Sequence, residues 1–577
     1  RALNNLNLNA TANAIDRIEL FAGGTLGGSS LNGASLNLDA TGANSVIDIA
    51  VDGTVNFGGT LKASKIALAS KRENLTVSAN LLGTGGNDLK EVDFSARGDL
   101  TVSSAVNATD AVRFKAGGSL SGVNLNLSVD EVIEISTGDA LDFQAGSVLK
   151  ADKRISLLST GGDLTFAGTA EGKSSAGALE EIVLKAKGDL SAQAQIAASR
   201  KILLEAGESL TSSAGGLNLS AAGSGGNIDI TTGDDLELNG KLEAVELISI
   251  LSGGKLTLSS ASELTGPGSA VAKRVLLASK NDLEANGKIE ASEEIELRAG
   301  TDGGGSVKAT GASGSIDAGT GTVKFFTGTD SGIIDLDSIT VSAKDVSVES
   351  KGGVSVSLDA ESLFALIQSG NLSVDASGNL LLSDVEAKLG SIEVIASGKL
   401  EADRVIAEGG QDSHDIVLKA VGVGSELIYG EVKAAGSGDV VLEGGSKISA
   451  VSSSSSITGD DVSFDARIGA DLSGSFATLS GEIEQAGNLA VTISGNAQLQ
   501  SLILADGQAN VSATGNLTVN LLRVSNDDDA NDLSVSSLGN LVLGELDVGR
   551  GKELPLHLLP FRKTTQGHLK GGIGVQS

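Results

Sequence analysis

The densest cluster of oxygen ligands is the run Asn526-Asp527-Asp528-Asp529-Ala530-Asn531-Asp532. Carboxylates crowded into a short loop suit a hard cation, so Asp527, Asp528, Asp529 and Asp532 are the candidate Ca²⁺ ligands. The run has neither EF-hand spacing nor a Gly-rich calcium nonapeptide around it. Ca²⁺ is thus the one candidate cofactor, and folding is expected not to depend on it. Other acidic neighbours, Glu293-Glu294 and Asp234-Asp235, fall where turns are expected. There Asp and Asn bond their own backbone and tolerate left-handed conformation, and a Glu pair faces water. His414, His557 and His568 are too scattered to argue a metal site or a triad. With no Cys in the chain, a thiol nucleophile, a disulfide framework and a thiolate metal site are all excluded. A polysaccharide-cleaving site would need carboxylates with Arg or Lys on one strand face, usually beside aromatics that stack on sugar rings. The chain has 12 Phe, 1 Tyr and no Trp. Tyr429 is a candidate surface contact, while Phe94 and Phe114 fall at inward positions and are expected to stack inside. No Walker or Rossmann loop is present. No catalytic or cofactor-binding residue is nominated, and the chain is expected not to be an enzyme.

The elements that carry these residues follow from one repeated phrase. In Leu372–Leu400, Leu372, Val374 and Ala376 precede a Ser-Gly-Asn corner and Leu380; twenty residues on, Ile392, Val394 and Ala396 precede Ser-Gly-Lys and Leu400. Apolar or small residues at every second position have the period of a strand. The same template fits Val92, Phe94 and Ala96 before Leu100, Ile182, Leu184 and Ala186 before Leu190, and Val346, Val348 and Ser350 before Val354. A second phrase, apolar-x-Ala, lies between corners, as in Val106-Asn107-Ala108 and Leu242-Glu243-Ala244. Three short strands per repeat, repeated every 20 or more residues, predict an all-β fold: a parallel β-helix (β-solenoid) of about 25 coils spaced roughly 4.8 Å apart. Longer spacings mark Gly/Ser-rich loop insertions, such as 172–177 and 222–226.

The composition agrees. There are 78 Gly and only 3 Pro, and the apolar content is nearly all Val, Leu, Ile and Ala, which suits a narrow bore. A net charge of −31 makes nucleic acid and anionic membrane surfaces improbable partners. No apolar run is long enough for a membrane span. The Asn-x-Ser/Thr sites sit mostly within the Asn-Leu-Ser/Thr phrase that the repeat itself demands, so glycosylation is not indicated. Lacking Met and a leader-like start, the sequence reads as a processed or excised piece.

Residues 1–549 read as the repeat body, least regular at 301–345, where Gly-rich loops separate Phe325-Phe326 from Ile333-Ile334. The segment 362–368 (SLFALIQ) reads as a strand, and the five serines Ser452 to Ser456 as a loop or an exposed polar strand. Residues 550–577 form a basic tail that does not continue the repeat.

Corners such as Gly98-Asp99-Leu100, Gly188-Asp189-Leu190, Gly378-Asn379-Leu380 and Gly515-Asn516-Leu517 resemble the repeat body of filamentous haemagglutinin-like exoproteins, the secreted partners of two-partner secretion systems. The resemblance covers roughly residues 1–549; the family's amino-terminal secretion domain, with its Asn-Pro motifs, is not present. It implies a right-handed parallel β-helix and a secreted bacterial cell-surface rod acting in adhesion, aggregation or fibre building. The expected partners are further copies, joined end to end or laterally into fibres, and a cell-surface glycan or protein receptor. The competing expectation is a β-helix polysaccharide lyase, hydrolase or glycan-binding tailspike-like protein.

Overall fold

The computed structural model describes residues 6–8, 10–23, 31–84, 88–122, 125–175, 178–192, 195–212, 216–301, 304–311, 314–328, 332–409, 414–525, 533–547 and 569–570. Among them there is no helix, and the strands pair in parallel into a β-solenoid of about 23 turns of ~22 residues, slightly fewer turns than the spacing predicts. The chain divides into two compact units, Arg1–Ser292 and Glu293–Ser577.

In the first unit each regular turn lays down three strands. Glu91–Ala96 forms a first face, Leu100–Val102 a second and Val106–Asn107 a third. The next turn repeats them in register: Val92 lies on Val112, Phe94 on Phe114, Leu100 on Leu120 and Val106 on Leu127. Alternation decides the facing. Glu91–Ala96 is buried at Val92, Phe94 and Ala96 and part-exposed between them. Like stacks on like along the bore. The Phe94 and Phe114 rings stack at 5.1 Å and 1°, and Phe143 meets Phe166 edge-on at 6.0 Å.

Corners hold adjacent turns together by two devices. At the inward end of the first face, Ser159 and Ser252 are buried, and their hydroxyls donate to the corner carbonyls of Asp139 (2.6 Å) and Asp234 (2.8 Å). On the outside, Asp and Asn side chains accept from the backbone N–H of the next turn. Asp163 Oδ1 takes Asp189 N–H at 2.9 Å, and Asp189 Oδ1 takes Ser209 N–H at 3.0 Å. The expectation that corner acids bond their own backbone holds at Asp317, whose Oδ1 accepts from Gly319 N–H at 2.8 Å, but Asp163 and Asp189 are instead staples between turns, because the parallel stack brings the equivalent N–H within reach. Close approach also explains the glycines. A Cβ on Gly253 would lie 1.9 Å from the carbonyl oxygen of Gly233 one turn away.

The second unit uses longer, bent strands. Leu380–Ala387 is one strand buried at Leu380, Leu382, Val385 and Ala387, with Ser383 and Asp384 turned outward together at its bend. Two faces are thus covered by one strand, and a turn needs two strands, not three. The segment 362–368 is strand through Ile367, with a register shift between Leu363 and Phe364. Ser452–Ser455 is a turn closed on itself, Ser455 N–H donating to Ser452 O at 3.1 Å and Ser452 N–H to Ser455 Oγ at 3.0 Å. One template equivalence fails. Val354 and Leu380 both read as corner residues, yet Val354 pairs with Leu372. Leu372 and Val354 therefore share a face, and Leu380 lies on another; every face obeys the same alternation, so the phrase does not reveal which face it occupies.

Candidate functional site

The metal candidates Asp527, Asp528, Asp529 and Asp532, with His557, His568 and most of the 550–577 tail, lie outside the described residues. Among the described residues no group of three or more His, Cys, Asp or Glu is placed to hold a metal ion. Glu294 pairs with Lys324 at 2.5 Å, and Asp235 Oδ1 accepts from Lys255 N–H at 2.6 Å, so both belong to turn-to-turn contacts. His414 is buried.

Tyr429 is not a surface contact; it is fully buried. Its hydroxyl donates to Asp471 O at 3.0 Å and accepts from Ser473 N–H at 2.8 Å, two turns further along the chain. The reason is local. The strand Gly469–Ala486 pairs with Lys447 and Ile448 on one side of the serine turn and with Ile457 on the other, leaving 471–473 without a ladder partner in the preceding turn. The phenol fills that opening. Burial raises its pKa well above the usual phenol value, against the Ser473 N–H, so it stays protonated and able to donate.

Outward charges on the first face form a ladder. Lys65 reaches Glu91 at 2.5 Å; Arg113 bonds Glu91 and, at 3.2 Å, Glu134; Arg154 reaches Glu134 at 4.0 Å and Glu181 at 3.6 Å. Partial burial raises the Glu91 pKa, but Lys65 and Arg113 together outweigh it and hold the carboxyl below its ordinary value. Beside the ladder, Asp93 is half-buried, and desolvation pushes its pKa up despite Arg113. It borders a hollow of about 390 Å³ with Arg113, Lys115 and Glu134. Carboxylates and an arginine share a face here, as Arg404 does with Asp384, Glu386 and Glu431 in the second unit, and the residues lining the hollow include no outward aromatic.

A second hollow lies on the third face of the first unit, a groove of about 710 Å³. Four turns supply it in two ranks. Thr169, Gln195, Asn218 and Lys241 form one rank, and Glu171, Ala197, Ser220 and Glu243 the other. Register follows the ladder, with Gln195 on Asn218, Ala197 on Ser220, and Ser220 on Glu243. Between them Ile196, Leu219 and Leu242 point into the core, which fixes the ranks outward. Asn218 Oδ1 accepts from Lys241 N–H at 2.9 Å, and among the described residues its Nδ2 makes no hydrogen bond to the protein. Charges are matched in pairs: Glu171 with Lys150 at 2.6 Å, and Glu243 with Lys241 at 2.8 Å. Sequence reasoning missed this groove. Its only signal is short outward residues in consecutive apolar-x-Ala phrases, a signal of what is absent and not of what is present.

Comparison with protein-family models, with curated proteins and with solved structures returned no significant match. Fold and surface therefore carry the functional reading.

Proposed function

We propose that the chain is a structural and adhesive segment of an extracellular bacterial surface protein, a rod whose outward faces present contacts while its corners keep the turns in register. One observation carries this: about 23 turns are stacked in parallel, and the outward charges of the first face in the first unit are largely engaged by neighbours in adjacent turns, as in the Lys65-to-Glu181 ladder. Charges so engaged favour a durable surface over a reaction centre. The corner phrases that resemble filamentous haemagglutinin-like repeats support the same reading, as does the absence of Cys. Self-association, end to end or laterally, is part of the proposal.

The test compares beads coated with the chain and bare beads for adhesion to cells and to one another, alongside incubation of the chain with a panel of polysaccharides. Coated beads are expected to adhere or cluster, and no new reducing ends to form. Polysaccharide cleavage that disappears in Asp93→Asn would replace this reading with the β-helix enzyme one.

A further inference from the structure

We infer that the third-face groove of the first unit binds a neutral, hydroxyl-rich chain, an oligosaccharide segment lying along the stacking direction. The inference rests on the adhesive reading for its biological setting, but its geometry stands on the groove alone.

The volume of about 710 Å³ falls within the usual ligand-cleft range of roughly 300–1,000 Å³. Four successive turns extend it over three steps of about 4.8 Å each, so the natural occupant is elongated. Its depth comes from side-chain length: Ala197 and Ser220 sit mid-rank between the longer Glu171 and Glu243. Those two glutamates are paired with Lys150 and with Lys241, which also reaches Glu263 at 3.6 Å, so each carboxylate in the groove already has a cation.

Charge decides the ligand class. A polyanion would meet Glu171 and Glu243, and a polycation would meet lysines already occupying those carboxylates. A neutral polyol meets neither penalty. Thr169 Oγ1, the Gln195 amide and Ser220 Oγ make no hydrogen bond within the protein among the described residues, and Asn218 keeps its Nδ2 donors for a ligand. Hydroxyls, which both donate and accept, match this mixed set. No aromatic lines the groove, so sugar rings gain no stacking, and affinity must rest on hydrogen bonds that each add little against water. Binding at a single groove is therefore weak, and many copies on a surface would supply avidity.

The full-length chain would be titrated with cellohexaose, maltohexaose and mannohexaose, and with a heparin hexasaccharide and spermine as charged probes, by saturation-transfer NMR and calorimetry. At least one neutral hexasaccharide is expected to bind with a Kd of roughly millimolar order. Ala197→Arg, which fills the mid-rank dent from an exposed position, should weaken that binding by about tenfold, and Gln195→Ala by about threefold. Should Ala197→Arg lower the melting temperature, Ser220→Arg provides the same block one turn on. Absence of saturation transfer from every neutral probe at about 10 mM, tighter binding of heparin or spermine, or unchanged binding in the groove-filling variant would overturn the inference. The readout uses soluble chain and free sugar. Its failure would leave bead adhesion untouched, and loss of bead adhesion would leave the groove measurement standing.

Discussion

Tyr429 shows how much one side chain can repair. Its hydroxyl replaces a missing stretch of ladder by serving the Asp471 carbonyl and the Ser473 N–H together. Tyr429→Phe keeps the ring and removes both bonds, leaving two backbone groups beside an apolar edge. The expected loss is about 1–3 kcal/mol, seen as faster hydrogen exchange at 471–473 and a lower urea midpoint for the second unit. A second residue-scale contrast tests the inward register. Leu380 is 2% exposed, whereas Ser383 is exposed at the bend of the same strand. Leu380→Asp puts an unpaired carboxylate in a dry bore and should unfold its surroundings at ordinary temperature. Ser383→Asp should shift thermal unfolding little; equal shifts in the two variants would show the register to be wrong.

At the scale of the element, the strands were legible because alternation and Gly corners are short-range signals. Val92, Phe94 and Ala96 face inward as their spacing requires, and Phe94 stacks on Phe114 because one turn separates them. What was not legible is which face a phrase occupies: Val354 and Leu380 carry the same signature on different faces. Nor could sequence alone assign the partner of a corner acid, since Asp189 and Ser209 are brought together only by stacking. Tyr429 was misread for the same reason: its two partners lie 42 and 44 residues away, across a gap that only pairing reveals. The groove escaped because short side chains give no positive pattern. Corner glycines give the element-scale prediction. Gly253→Val would drive its side chain into the Gly233 carbonyl and force neighbouring turns apart, at about 1–3 kcal/mol. Local hydrogen exchange around Ser252 and Gly233 should rise well before global unfolding; protection equal to that of the parent would show that the corner can relax.

For the molecule as a whole, acid should act in opposite directions at different places. The Asp439 carboxyl is raised by burial, against the Asp461 N–H, with Asp461, Asp415 and Asp460 adding repulsion. A raised carboxyl stabilises the fold fully below its unfolded value near 3.8, and that contribution is lost as pH rises through the folded value. Glu386 is the reverse. The Lys388 bond, against partial burial and with help from Arg404, holds it low. Its contribution is present above 4.5 and lost as pH falls through the folded value. Lowering pH from about 7 to about 4.5 should therefore increase protection around 439–461, corrected for intrinsic exchange, while the Glu386 region holds. Asp439→Asn should abolish the gain; a gain that persists in this variant would assign it elsewhere.

Most staples join a turn only to the next, and this gives the chain a currency of whole turns. Asn379 takes the Lys399 N–H exactly one repeat on, at 2.7 Å, so removing 380–399 would bring Asn379 before Leu400 as it now precedes Leu380. Length can in this way grow or shrink by duplication and loss with no new contact to invent. Tyr429 is an exception, as is Lys173, whose ammonium donates to Ala108 O several turns back. The Tyr429 bonds skip a turn, so the block between it and Ser473 is inherited whole or not at all, a fixed bar in a largely editable score.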